Sequence, residues 1–386
     1  MSLKDKYAIA GVGLTRFGKI RGVSTMSFTL EAMKLAIEDA GLTRDDVDGA
    51  LVVSPVMLGE QHGWGARVAA LMEISTTFTN TMDIGGATPV AMIQTAAMAI
   101  DAGMCNVVVC AFGNQNNPQG VHMTLPNLEF TMPYGDIGAI PFQAHIARNH
   151  MHRYGLTSRQ LGEIAVTFRK HACLNPDAQM CRKGPITIED HQNSRMVIEP
   201  LHLLDICVNT DGGGAVVVTS AERARDLKHP PVYIMGMGQS HSSEMAPPWP
   251  GKTEHRGGTK AAEMAFRMAG VTHRDIDVAQ LYDGFTILVI NELENFGFCP
   301  LGEGGRFVEG GKLGLGGELP SNTAGGLLSE GHLMGMGHVV EAVRQLRGQC
   351  GERQVEDAEI GFVNGYGGAP HEYPPTLSYS TLILRR

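Results

Sequence analysis

The sequence predicts an α/β fold built from two like halves, and three observations carry that prediction. Residues 32–52 are echoed by residues 261–281, with eight of 21 positions identical at a constant offset of 229. A short apolar strand pattern with a glycine exit precedes each copy, YAIAGVG at 7–13 and VYIMGMG at 232–238. A segment apolar on nearly every helical face, 85–103, continues the first half and belongs in the middle of a protein, covered on all sides. Short strands alternating with longer helices imply βαβ units and mostly parallel sheets.

Taken in order, strand 7–13 leads into an Ala-rich helix stopped by Gly41, a residue free to take the left-handed conformation at a helix end. Thr43 with Asp46 then forms a cap-like turn before an apolar strand. After the central helix, NVVVCAFG at 106–113 has the composition of a fully buried strand. Residues 119 to 200 are irregular, with a helical piece around 144–154, and read as an insertion that builds a substrate cover. The halves meet near residue 225, giving 1–225 and 226–386. The second half repeats the order: strand 232–238, a helix stopped by Gly270, the Thr272 and Asp275 turn, a helix over 338–348 and a strand over 359–368. One helix of each half sandwiched between two sheets makes a five-layer α-β-α-β-α arrangement.

Composition narrows the function. The 386 residues carry a net charge of −9, which argues against a basic nucleic-acid-binding surface. Hydrophobic residues at 43% and charged residues at 18% support a large core. No apolar run reaches membrane-spanning length and no signal peptide is visible, so a cytoplasmic protein is the expectation. Seven scattered cysteines without a C-x-x-C pair indicate neither a disulfide framework nor a zinc site. The 21 methionines suit an adaptable apolar pocket or plain core filling.

Neither glycine-rich stretch is a nucleotide motif. GVGLTRFG at 11–18 spaces its glycines wrongly for a dinucleotide fingerprint, and 302–317 lacks the G-K-[ST] ending of a P-loop. Polar residues do collect at predicted strand ends and turns: Tyr282 and Asp283 in YDGF, 322–332 in NTAGGLLSEGH, and 364–368 in NGYGG. His332 fits a general acid/base or an oxyanion donor, with a structural histidine as the plainer alternative.

These same segments carry a family resemblance. NTAGGLLSEGHLMGMGHVVEAVRQLRG is similar to the thiolase motif N-x-x-G-G-x(4)-G-H-P-x-G and its following helix, and YDGF stands where thiolases have N-E-A-F. The early TRFG, the segment PITIEDHQNSRMVIEPLHLLDICVNTDGGGAVVV and the LPSNTAGG entry resemble the sterol-carrier-protein-x, or lipid-transfer-protein, branch of that superfamily. The likeness covers nearly the whole chain and implies a thiolase-like fold of duplicated halves. The departures are chemical: Gly85 falls on the nucleophilic cysteine of C-x-S-G, Gly365 falls on the second cysteine, and Leu333 replaces the proline of G-H-P. An acyl-cysteine at the usual place is thereby excluded.

What the resemblance leaves is an electrostatic site. Backbone N–H groups of Gly85 and Gly367 are expected to hold a thioester oxygen or a carboxylate. His332 matches the enolate-stabilising histidine, and Tyr282 takes the asparagine's position, as a donor, as a base or as a packed tyrosine. Asn322 is expected to brace the His332 loop, and Asp283 to be a structural acceptor. Tyr366 and His145 are expected to line the pocket. The implied substrate is a coenzyme A thioester, with no metal or nucleotide cofactor. The implied chemistry is retro-aldol carbon-carbon cleavage. Aldolases of this branch share a tyrosine at position 282 but carry another where this chain has His332. Acyl transfer by direct attack of CoA and a non-catalytic acyl-CoA-binding or lipid-binding subunit are the alternatives. A homodimer formed near residues 76–86 and a small zinc-binding OB-fold protein are the partners implied.

Overall fold

A computed structural model describes residues 2–55, 62–115, 132–135, 138–242, 257–367 and 377–386. The first half runs β1 (Tyr7–Leu14), α1 (Thr25–Asp39), β2 (Gly49–Val53), α2 (Trp64–Leu71), β3 (Phe78–Met82), α3 (Thr88–Asp101) and β4 (Val107–Asn114). A helical insertion follows, α4 (Ala139–Tyr154), α5 (Ser158–Cys173) and α6 (Ile188–Asn193), with the small hairpin β5 (Met196–Ile198) and β6 (Leu201–His202). The half closes with β7 (Gly212–Ser220) and α7 (Ala221–Ala224). The second half contains β8 (Val232–Ser242), α8 (Thr259–Ala269), β9 (Val278–Gln280), α9 (Thr286–Asn295), α10 (Gly304–Phe307), α11 (Gly326–Ser329), α12 (Met336–Leu346), β10 (Ile360–Gly367) and β11 (Leu377–Arg385).

The strand order is β3-β2-β4-β7-β1-β8-β11-β10-β9. The two halves mirror one another about the β1–β8 pair, with β1, β7, β4 and β2 matching β8, β11, β10 and β9. Short antiparallel pairing at Ala8↔Tyr233 and Ile9↔Val232 joins the two sheets along one edge. The expectation of mostly parallel sheets is corrected here. The last strand of each half inserts antiparallel between the first strand and its neighbour, β7 between β1 and β4, β11 between β8 and β10. Between strands, parallel pairing is confined to β2–β3, β2–β4 and β9–β10 among the described residues. Helices α3 and α12 each pack on strands of both halves, which places them in the central layer. The helix α3 is accordingly buried along most of its length.

The repeated glycines serve packing. A Cβ at Gly11 would lie 2.2 Å from Ala36 O, and one at Gly236 would lie 2.2 Å from Ala265 O. The strand-exit glycines of both halves therefore let an Ala-rich helix rest directly on the strand backbone. The insertion is more regular than its sequence suggested. Helix α4 begins at Ala139, and α5 carries a capping box in which Thr157 and Gln160 satisfy each other's backbone N–H groups.

Candidate active site

Four backbone segments converge at the end of β9. As the chain leaves the strand, Asn322 pinches Leu281 from both sides: its Oδ1 accepts from Leu281 N at 2.7 Å and its Nδ2 donates to Leu281 O at 2.8 Å. Asn322 holds φ +49°, a left-handed conformation that asparagine tolerates better than most residues. It thus fixes the strand end from which Tyr282 projects, rather than the His332 loop. Asp283 is fully buried and structural. Its carboxylate accepts from Leu327 N at 2.8 Å and Leu328 N at 3.2 Å, and lies 3.0 Å from His338 Nε2.

His332 is held by its backbone, whose N–H donates to Thr210 Oγ1 at 2.8 Å while Thr210 donates onward to Gln179 Oε1 at 3.0 Å. Its Nε2 faces Tyr282 Oη at 3.4 Å, with the rings nearly perpendicular. Burial lowers the His332 pKa from its ordinary 6.5, with Asp283 opposing. Burial raises that of Tyr282 above its ordinary 10.0, and Cys207, Asp283, Glu292 and Tyr366 add to the rise. The pair is therefore a neutral imidazole acceptor beside a protonated phenol donor. A reaction that needs this pair should keep kcat/KM level over about pH 7 to 9 and lose it only on the acid side, with a midpoint below the ordinary histidine value. A pH-rate profile with its acid midpoint above about 7 would contradict this.

The floor beneath Tyr282 is glycine. A Cβ at Gly86 would sit 2.2 Å from Tyr282 Oη, and Gly367 is so close that its Cβ would meet Ile84 O at 2.1 Å. Gly86→Ala is therefore expected to displace the tyrosine and cut kcat by at least about tenfold, with the circular dichroism spectrum unchanged; wild-type turnover would refute this contact. Gly85 requires a correction. It precedes the helix instead of opening it, since α3 starts at Thr88, and its N–H already donates to Asp83 Oδ1 at 3.1 Å. Gly367, in β10 opposite Ser378, does reach the same turn.

Tyr366 lies 6.1 Å from Tyr282 ring to ring, and its hydroxyl accepts from Gln143 Nε2 at 3.1 Å. His145 is corrected: it is exposed on α4, whereas Gln143, two residues earlier, is the buried residue that reaches the site. Sequence reasoning also missed His338, Thr210 and Glu292, while Asn364 lies in the NGYGG segment it had singled out. For His338 a signal existed in the second Gly-His step of GHLMGMGH.

Comparison with known proteins gives the family. The family described as thiolase C-terminal domain-like matches residues 238–377. The chain is 41% identical to a steroid side-chain-cleaving aldolase of Thermomonospora curvata, over 90% of this chain and 91% of that one. It is 40% identical to the 17-hydroxy-3-oxo-4-pregnene-20-carboxyl-CoA lyase of Mycobacterium tuberculosis, over 90% and 92%. The chain belongs to the thiolase superfamily, in its sterol-carrier-protein-like branch. Among solved structures, an Ltp2-ChsH2(DUF35) aldolase superposes with a TM-score of 0.89 at 38% identity, covering 99% of this chain and 98% of that one.

Gly365, which the motif resemblance sets at a cysteine position of the family, is closely packed. At Gly365 a Cβ would meet Gly86 O at 2.7 Å and Ala87 Cα at 2.8 Å, so a cysteine side chain has no room there. The structure does bring one thiol close, which the sequence motifs did not reveal. Cys207 donates its backbone N–H to Gly284 O at 3.1 Å. Burial, with the Asp283 carboxylate adding to it, pushes the Cys207 thiol up to about 12. Such a thiol is protonated near neutrality and is a poor nucleophile.

Proposed function

We propose that this protein cleaves 3-hydroxyacyl-CoA thioesters by a retro-aldol reaction, without an acyl-cysteine intermediate. The observation that carries the reading is the His332–Tyr282 pair, set 3.4 Å apart over a glycine floor. In the reaction neutral His332 takes the proton of the substrate's β-hydroxyl. The bond between the α and β carbons breaks, the β carbon becomes a carbonyl, and the electron pair passes into a thioester enolate. Tyr282, still protonated, donates to the enolate oxygen, which is the charge that needs stabilising. The imidazolium then returns its proton to the α carbon, leaving a shortened acyl-CoA and a free aldehyde or ketone.

The names of the two curated relatives, an aldolase and a CoA lyase, support this assignment. A small partner of the DUF35 class named with the solved aldolase, for which we infer the zinc-binding OB-fold expected from the sequence, completes the proposal. So does a homodimer formed along β3, the edge strand of the sheet, whose side chains are half-exposed. No described helix is long and apolar enough to cross a membrane. The test is mass-spectrometric product identification with panels of 3-hydroxyacyl-CoA and 3-oxoacyl-CoA thioesters, with and without free CoA. One shortened thioester plus a carbonyl product, independent of added CoA, is expected. Two thioesters formed only when CoA is supplied would replace the proposal with direct thiolysis.

A further inference from the structure

Beside Tyr366, two buried side chains keep hydrogen-bonding capacity that the reaction above does not use. Asn364 and Tyr366 are two residues apart on β10, so their side chains leave the same face of the strand, about 7 Å from one another. Asn364 Nδ2 donates to Glu292 Oε1 at 2.8 Å, and Asn364 Oδ1 accepts from Tyr282 N at 3.1 Å. Gln143 Nε2 donates to Tyr366 Oη at 3.1 Å. Glu292 Oε2 and Gln143 Oε1 are then left buried and without a partner among the described residues. Tyr366, an acceptor in its bond with Gln143, still has its own proton to give.

The character of each open valence can be assigned. Burial pushes the Glu292 carboxyl well above the ordinary carboxylate range, Asn364 opposing and Asp283 adding, which favours the neutral acid with an O–H to donate. Gln143 Oε1 is a carbonyl and can only accept. The three groups together offer two donors and one acceptor within a wall formed by the Tyr282, Tyr366 and Tyr379 rings. Buried polar atoms are rarely left unpaired, and each such atom in a folded protein calls for an occupant. A methylene would leave all three unpaired, and a carboxylate would oppose the Gln143 carbonyl. A hydroxyl both donates and accepts.

We propose that Glu292, Gln143 and Tyr366 form a specificity-determining subsite that binds a second hydroxyl of the acyl group, farther along the chain than the β-hydroxyl that reacts. The proposal rests on the thioester reading above and deepens it. Its test uses the His332→Ala protein, so that bound thioesters are not consumed, and titration calorimetry with 3,5-dihydroxyoctanoyl-CoA and 3-hydroxyoctanoyl-CoA, which differ only in a hydroxyl that the cleavage does not use. The dihydroxylated thioester should bind at least about tenfold more tightly, because a site built to hydrogen-bond a hydroxyl rejects the analogue that lacks one. Gln143→Leu and Glu292→Leu, each added to His332→Ala, should shrink that preference to about twofold or less while affinity for 3-hydroxyoctanoyl-CoA is retained. Glu292→Gln should preserve the preference, since glutamine keeps an acceptor for Asn364 and supplies an N–H in place of the acid O–H. A merely structural carboxyl would not sort the variants in this way. Equal binding of the two thioesters before any substitution, or a preference that survives both leucine variants, would overturn the subsite and leave the thioester reading standing. Binding of neither would overturn both.

Discussion

Replacing His332 by alanine should lower kcat by about 10²- to 10⁴-fold while leaving the fold unchanged. The size of the effect follows from the role: an acid/base group at the reacting bond acts chiefly in the transition state, so its loss falls on kcat more than on KM. Preservation of the fold follows from the way the loop is tied. The bond to Thr210 uses the His332 backbone N–H and survives truncation of the side chain. The described hydrogen bond of the ring is the one to Tyr282. Steady-state kinetics beside a thermal unfolding curve check both halves of the prediction. Retained turnover would remove His332 from the mechanism, and a collapsed unfolding transition would make it a structural residue.

The second large effect concerns stability. Arg353 and Glu341 form a buried two-bond ion pair, with Nε to Oε1 and Nη2 to Oε2 each at 3.1 Å. Thr323 donates to the same carboxylate at 2.7 Å, and Gln345 at 3.2 Å. The network thereby anchors the residue next to Asn322, the clamp on Leu281. Removing the guanidinium alone, as in Arg353→Met, strands a carboxylate that is 2% exposed. A loss of about 3 to 5 kcal/mol is expected, measured by denaturant unfolding. The double variant Arg353→Met with Glu341→Gln should recover part of that loss, because the uncompensated charge is then gone. A single variant within about 1 kcal/mol of wild type would show that the pair is not a support of the site.

Much of the architecture is legible in the sequence because it rests on local physics. Gly41 and Gly270 take φ of +73° and +69°, and Thr43 with Asp46 and Thr272 with Asp275 form reciprocal caps, as the repeated pattern predicts. The central helix α3 is visible from its apolar faces alone. Strand direction is not: a fully buried run such as Gly212–Ser220 has the same composition whether its neighbours run parallel or antiparallel. Hence the antiparallel insertion of β7 and β11 is not to be found in the sequence.

The site divides along the same line. Tyr282, Asp283, Asn322 and His332 stand in glycine-marked turns whose motif can be recognised, and the fold brings them together. Gln143, Thr210 and Cys207 come from the insertion and from the chain that returns from it, and reach Tyr366, His332 and Gly284 only through tertiary packing. Gly85 shows a finer limit. Its neighbourhood is correctly located, but a three-residue offset in the start of α3 and a local bond to Asp83 decide which amide is free.

In the proposed cleavage the broken bond leaves its electrons in a thioester enolate at the His332–Tyr282 pair, with no acyl group passing through a cysteine. Cleavage of a 3-hydroxyacyl-CoA in deuterated water, with the shortened thioester analysed by mass spectrometry, tests it most directly. One deuterium is expected at the α carbon of that thioester, formed without added CoA and lost together with turnover in His332→Ala. A shortened thioester without deuterium, or an acyl adduct on the protein at Cys207, would contradict it.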